Sequence, residues 1–119
     1  IISIHCPLND DTRDLFNEDT FHRMKEDAIL INVARGAIVN NSDLYKALND
    51  NLIYGAGLDV IETEPISVDN PLSHYSDSNR LIITPHMAWA SNEARARVVS
   101  ETALNIEAFL AGKERCIVI

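Results

Sequence analysis

Arg35, Asp59, Glu64 and His86 are the residues of this chain whose types could do chemistry together. A guanidinium holds an anion through paired hydrogen bonds, an imidazole moves a proton near neutral pH, and a carboxylate orients a neighbouring imidazole. Such a set suits holding an anionic substrate and passing it a proton. Each residue also has a plainer reading. Arg35 can be a surface arginine in a loop, Asp59 can cap the turn that follows it, and Glu62 competes with Glu64 as the histidine's partner. Residue type alone does not choose between the two glutamates.

The elements that would have to gather these groups follow from the apolar runs. Ile29 to Ala34 is apolar apart from Asn32 and does not alternate, which is how a strand covered on both faces of a parallel sheet reads. Arg35 and Gly36 stand at its far end. Ile1 to His5 forms an earlier strand, stopped by Cys6 and Pro7 because proline cannot donate to a ladder. Tyr54 to Val60 forms a third, and Leu81 to Thr84 a fourth that Pro85 closes just before His86.

Helices separate the strands. Asn17 offers a side-chain cap to a short one, with Glu18 and Asp19 in its first turn and Arg23 and Lys25 near its end. A second, capped by Ser42 or Asn41, buries Leu44, Ala47 and Leu48 on one face. A third runs from a Ser91 cap to Ala111, where Gly112 stops it. Its stripe of Ala94, Val98, Thr102, Ile106 and Leu110 calls for a packing partner. Residues 61–80 form the longest irregular stretch, and loops of that length in compact domains are usually functional or mobile.

This alternation predicts an α/β fold with a parallel sheet and right-handed crossovers, so that all strand ends reach one edge. Arg35 and His86 each follow a strand and Asp59 stands at the end of one, so the three would meet there, where open α/β sheets bind their ligands.

Composition removes several other classes. A net charge of −8 argues against binding a nucleic-acid backbone, which requires clustered Lys and Arg. No apolar run reaches the length of a membrane span, and no signal-peptide pattern occurs. Cys6 and Cys116 lie at opposite ends without a C-x-x-C pair, so no metal site and no disulfide framework is expected. The expected compartment is reducing and cytoplasmic. Asn40-Asn41-Ser42 matches a glycosylation sequon only by coincidence in a turn. Gly55-Ala56-Gly57 imitates a dinucleotide-binding turn, but Val60 stands where the third glycine belongs and no helix follows. His5, His22 and His74 read as structural or solvated, without partners. Because the sequence begins with Ile1 inside a strand, residues upstream are expected to have been removed.

HCPLNDDTRDLF, ILINVARGAIVNNSDLYKAL, GAGLDVIETEP and LIITPHMAWAS, in this order, resemble the second half of the nucleotide-binding domain of the D-2-hydroxyacid dehydrogenases. Within that family the run from NPL to NIEAFLAGK is most similar to the glycerate dehydrogenases, also called hydroxypyruvate reductases. The resemblance implies the second half of a Rossmann-type doubly wound sheet. Residues 1–112 would be the C-terminal part of the nucleotide-binding domain, and 113–119 a tail returning to a substrate domain or forming a last strand.

It further implies an NAD-dependent oxidoreductase of small 2-oxo and 2-hydroxy acids, hydroxypyruvate or glyoxylate above all, homodimeric at full length, with NADP left open. Arg35 would clamp the substrate's carboxylate and carbonyl oxygen, His86 would be the acid/base, and Glu64 would pair with it. Asp59 would meet the nicotinamide end of the cofactor. Cys6, Pro7, Val33, Ala34, Arg35, His86 and Trp89 would supply further cofactor or substrate contacts; Trp89 taken alone reads equally as core. The family's glycine-rich turn and the acidic residue that selects NAD are absent from these residues, so the fragment by itself is expected to be inactive. A second reading is a binding or corepressor module that uses the nucleotide as a sensor, and a third is a stand-alone flavodoxin-like interaction domain.

Overall fold

In a computed structural model that describes residues 1–117, the chain divides into two compact units, Ile1–Met87 and a second from Ala88 onward. The first unit carries four strands in the order of the sequence. β1 (Ile2–Ile4), β2 (Ile29–Asn32), β3 (Gly55–Leu58) and β4 (Leu81–Ile83) form one parallel sheet, each strand pairing with the next. Between them come α1 (Glu18–His22), a 3-10 turn at Gly36–Ile38, α2 (Asn41–Asn49) and a second 3-10 turn at Pro71–His74.

Register explains which side of the sheet is covered. Leu30, Ala56 and Leu81 form one row, and Ile4, Asn32 and Leu58 belong to another pointing the same way; all six are buried. The five apolar ones pack in one core with Phe21 of α1, Leu44 and Leu48 of α2, and Ile38. The intervening row points to the opposite face. There Ile31 is half-buried and Ile82 is 60% exposed. The expectation of a strand covered on both faces is therefore met on one face only, because α1 and α2 both join the core on the Leu30 side.

Local chemistry sets the element ends. Asn17 caps α1 by accepting from the Thr20 N–H, as its position predicts. Asn40, not Asn41 or Ser42, caps α2: its Oδ1 accepts from the N–H groups of Ser42 and Asp43, both at 3.1 Å. Leu44, Ala47 and Leu48 are buried as expected. Each strand is one to three residues shorter than its apolar run. The loop after β1 runs beside the Gly36–Ile38 turn, with Phe16 N–H donating to the Ile38 carbonyl and Asn40 N–H to the Phe16 carbonyl.

The second unit contains α3 (Asn92–Leu110), capped by the Ser91 side chain and followed by Gly112 at φ +64°. None of its residues is buried, so its apolar stripe does not find the packing partner that its pattern requires. Residues 115–117 form no strand, and the rest of the predicted tail strand lies outside the described residues.

Candidate active site

Three loops leave the carboxyl ends of β2, β3 and β4, and main-chain hydrogen bonds continue the sheet beyond its strands. Asp59 N–H donates to the Asn32 carbonyl at 2.9 Å, Thr84 N–H to the Leu58 carbonyl at 2.9 Å, and His86 N–H to the Asp59 carbonyl at 2.8 Å. The sequence-predicted strand-end residues are thus brought to one edge.

Asn32 builds the loop after β2. It is fully buried; its Oδ1 accepts from Ala34 N–H at 3.0 Å, and its Nδ2 donates to the Arg35 carbonyl at 2.9 Å. A buried amide must find such partners. As the single polar residue in an apolar strand, Asn32 carried a signal for this role that the strand pattern masked. Arg35 is exposed, and its Nη1 donates to the Ala34 carbonyl at 2.7 Å. Gly36 follows in close packing: a Cβ there would lie 1.9 Å from the carbonyl carbon of Ile61. The turn that presents Arg35 therefore rests directly on the backbone of the loop that carries Glu64.

Glu64 settles the competition with Glu62 by geometry. Its Oε2 stands 2.8 Å from His86 Nδ1, and its Oε1 accepts from Ile61 N–H at 3.1 Å. The His86 hydrogen bond, aided by that of Ile61, holds the Glu64 carboxyl below its ordinary range, against a smaller opposing effect of desolvation. The pair is exposed enough for solvent to screen it.

Asp59 is buried. Its Oδ1 accepts from Thr84 Oγ1 at 2.5 Å and from Met87 N–H at 2.8 Å. His86, between them, has φ +51°, a left-handed conformation uncommon for residues other than glycine. Thr84 was not among the sequence candidates, since a hydroxyl at a strand end carries no pattern of its own.

Two concavities mark this edge. One, of about 700 Å³, has Asp59, Glu64, Thr84 and His86 on one side and apolar residues including Leu72 and Tyr75 on the other. A second, of about 690 Å³, is lined by His5, Cys6, Pro7, Leu8, Val33, Ala34 and Arg35. Trp89 is half-exposed and belongs to the second unit. Two histidines expected to lack partners have them: His5 bonds Ser3 Oγ, and His74 bonds the Val68 carbonyl, each at 2.7 Å. Both bonds are local and structural. Cys6 and Cys116 are free thiols, and among the described residues no three His, Cys, Asp or Glu side chains gather as a metal site. No described helix is long and apolar enough to cross a membrane.

Residues 1–88 match the family of D-isomer specific 2-hydroxyacid dehydrogenases, in its NAD binding domain. The chain belongs to this family. It is 43% identical over 118 residues to a glycerate dehydrogenase of Methylorubrum extorquens, covering 99% of this chain and 37% of that enzyme. To a hydroxypyruvate reductase of Blautia hydrogenotrophica it is 41% identical over 112 residues, covering 94% and 34%. Among solved structures, an acyclic imino acid reductase in complex with NADPH and D-Arg superposes with a TM-score of 0.86 at 38% identity, covering 98% of this chain and 36% of that one. The chain spans about a third of the length of the relatives it matches. The fold is accordingly an α/β, Rossmann-like part of a dehydrogenase nucleotide-binding domain.

Proposed function

We propose that this chain is the C-terminal part of the nucleotide-binding domain of an NAD(H)-dependent reductase of small 2-oxo acids, hydroxypyruvate or glyoxylate. The observation that carries the reading is the 2.8 Å pairing of Glu64 with His86 Nδ1 at the strand-end edge, beside Asp59. With Nδ1 turned to the carboxylate, the acid is the opposite ring nitrogen. His86 Nε2–H gives its proton to the substrate's carbonyl oxygen while a hydride adds to the carbonyl carbon, and the 2-hydroxy acid results, a secondary alcohol from hydroxypyruvate and a primary one from glyoxylate. The nicotinamide cofactor supplies that hydride when bound.

The fit of this segment to such a cofactor is one-sided. The depression after β1 and β2 combines the apolar surfaces of Pro7, Val33 and Ala34 with Cys6 and the Arg35 guanidinium, a lining suited to a flat ring and its polar substituents. Gly55 and Gly57, by contrast, lie inside β3, and a Cβ at Gly55 would meet the Arg80 carbonyl oxygen at 2.7 Å, so these glycines serve strand packing rather than a phosphate. Cys6, Pro7, Val33, Ala34 and Asp59 would hold the nicotinamide end. NAD follows from the family's character, and the NADPH complex of a neighbour keeps NADP in view.

Arg35 is the substrate's anchor in this reading. Its planar fork pairs with a carboxylate through two parallel bonds, which a lysine cannot do. Residues 1–112 then belong to the nucleotide-binding domain, in a cytoplasmic homodimer.

The test is NADH oxidation by the intact enzyme with hydroxypyruvate. His86→Ala and Arg35→Ala should each lower turnover by about a hundredfold or more. Parental turnover in either variant would remove that residue from the mechanism, and turnover of imino acids alone would replace the substrate class.

A further inference from the structure

We propose that Asp59 and Thr84 form one clamp that positions His86 for proton transfer, a role separate from any contact Asp59 makes with the cofactor. The proposal deepens the function given above, because the reaction it serves is that proton transfer.

Thr84, Pro85, His86 and Met87 reverse the chain just beyond β4. At its centre His86 holds a left-handed backbone with φ +51°, which costs a non-glycine residue free energy and persists only where the surroundings enforce it. Pro85 has no N–H to contribute. The enforcement comes from Asp59, whose Oδ1 receives Thr84 Oγ1 at 2.5 Å on one side of the histidine and Met87 N–H at 2.8 Å on the other. The Asp59 carbonyl receives the N–H of His86 itself at 2.8 Å. One residue therefore grips the hook before, at and after the histidine. Asp59 is in turn fixed to the sheet, since its own N–H donates to the Asn32 carbonyl.

Glu64 does a different job. Its hydrogen bond to Nδ1 sets the rotation of the imidazole ring, and the clamp sets where the ring's Cα stands. A ring that turns correctly on a displaced Cα delivers its proton to the wrong place. Thr84 isolates this second restraint: its N–H already serves the ladder to Leu58, so its hydroxyl is the group that distinguishes it from an apolar strand residue.

The experiment compares Thr84→Val with Thr84→Ser in the intact enzyme. The valine variant removes the hydroxyl and keeps the branched shape; the serine variant keeps the hydroxyl. With valine, kcat for hydroxypyruvate should fall about tenfold or more while KM stays within about twofold, as expected when the loss falls on the transition state. Serine should restore most of kcat. In the same variants without substrate, the His86 imidazole NMR signals should move with valine and not with serine. Unmoved signals with valine, or a serine variant as displaced as the valine one, overturn the clamp. Because those signals need no turnover, displaced signals in a protein lacking reductase activity would sustain the clamp and defeat the proposed reaction instead.

Discussion

The two ends of the strand-end edge are built in opposite ways. On the β3–β4 side, Asp59, Glu64, Thr84 and His86 are tied to one another across loops by side-chain hydrogen bonds. On the β1–β2 side the loop backbones are equally well held, by Asn32 and the Phe16 pairing, yet among the described residues the Arg35 side chain bonds just the carbonyl of its own neighbour and stays exposed. In the proposed reaction the proton-transfer group must stand at a fixed place before the substrate arrives, and that side is preorganised. An anion anchor can take its final geometry from the anion it binds.

Substitutions can break this contrast at graded cost. The largest effect on folding should come from Gly36→Ala, because the added methyl meets main-chain atoms of Ile61 and Glu62 that cannot rotate away. A loss of about 1–3 kcal/mol is expected, read as a lowered denaturant midpoint, together with a weakened Glu64–His86 pair. A parental midpoint would mean that the two sides are mechanically independent.

Glu64→Gln should act more gently and with a particular pH dependence. Since the folded state holds the Glu64 carboxyl below its ordinary 4.5, its contribution to stability is present above that value and lost as pH falls from there through the lower folded value. The difference between parent and variant should therefore be largest near neutrality, at no more than ~1 kcal/mol for so exposed a pair, and vanish in acid. A gap that widened in acid would reverse the assignment. Smallest of all, Arg35→Ala should leave the unfolding midpoint within about 0.5 kcal/mol of the parent while removing catalysis, which sharpens the contrast into a separation of folding from function.

Much of this architecture is legible in the residues. Proline after two strands, the Asn17 and Ser91 caps and the apolar runs specify the alternation and the shared edge. The limits have physical reasons. Three successive residues, Asn40, Asn41 and Ser42, can each cap a helix, and only the backbone geometry selects Asn40. Asn32 reads as an interruption of a strand, because its two hydrogen bonds close onto a turn the strand pattern does not describe. Glu62 and Glu64 are equivalent as residue types; the fold of residues 61–64 distinguishes them, and the family spacing had favoured the one that meets His86. Thr84 is silent in sequence, since its partner lies 25 positions away. The apolar stripe of α3 announces a burial that these residues do not supply.

The chain of main-chain bonds from Asn32 to Asp59 to His86 also fixes a length scale. Neighbouring strands lie about 4.8 Å apart, so the backbone anchors of the arginine and histidine loops are separated by about two such spacings, roughly 10 Å, before their side chains reach inward. Under the proposed function that spacing acts as a caliper, suited to a compact acid whose carboxylate and carbonyl carbon are adjacent atoms.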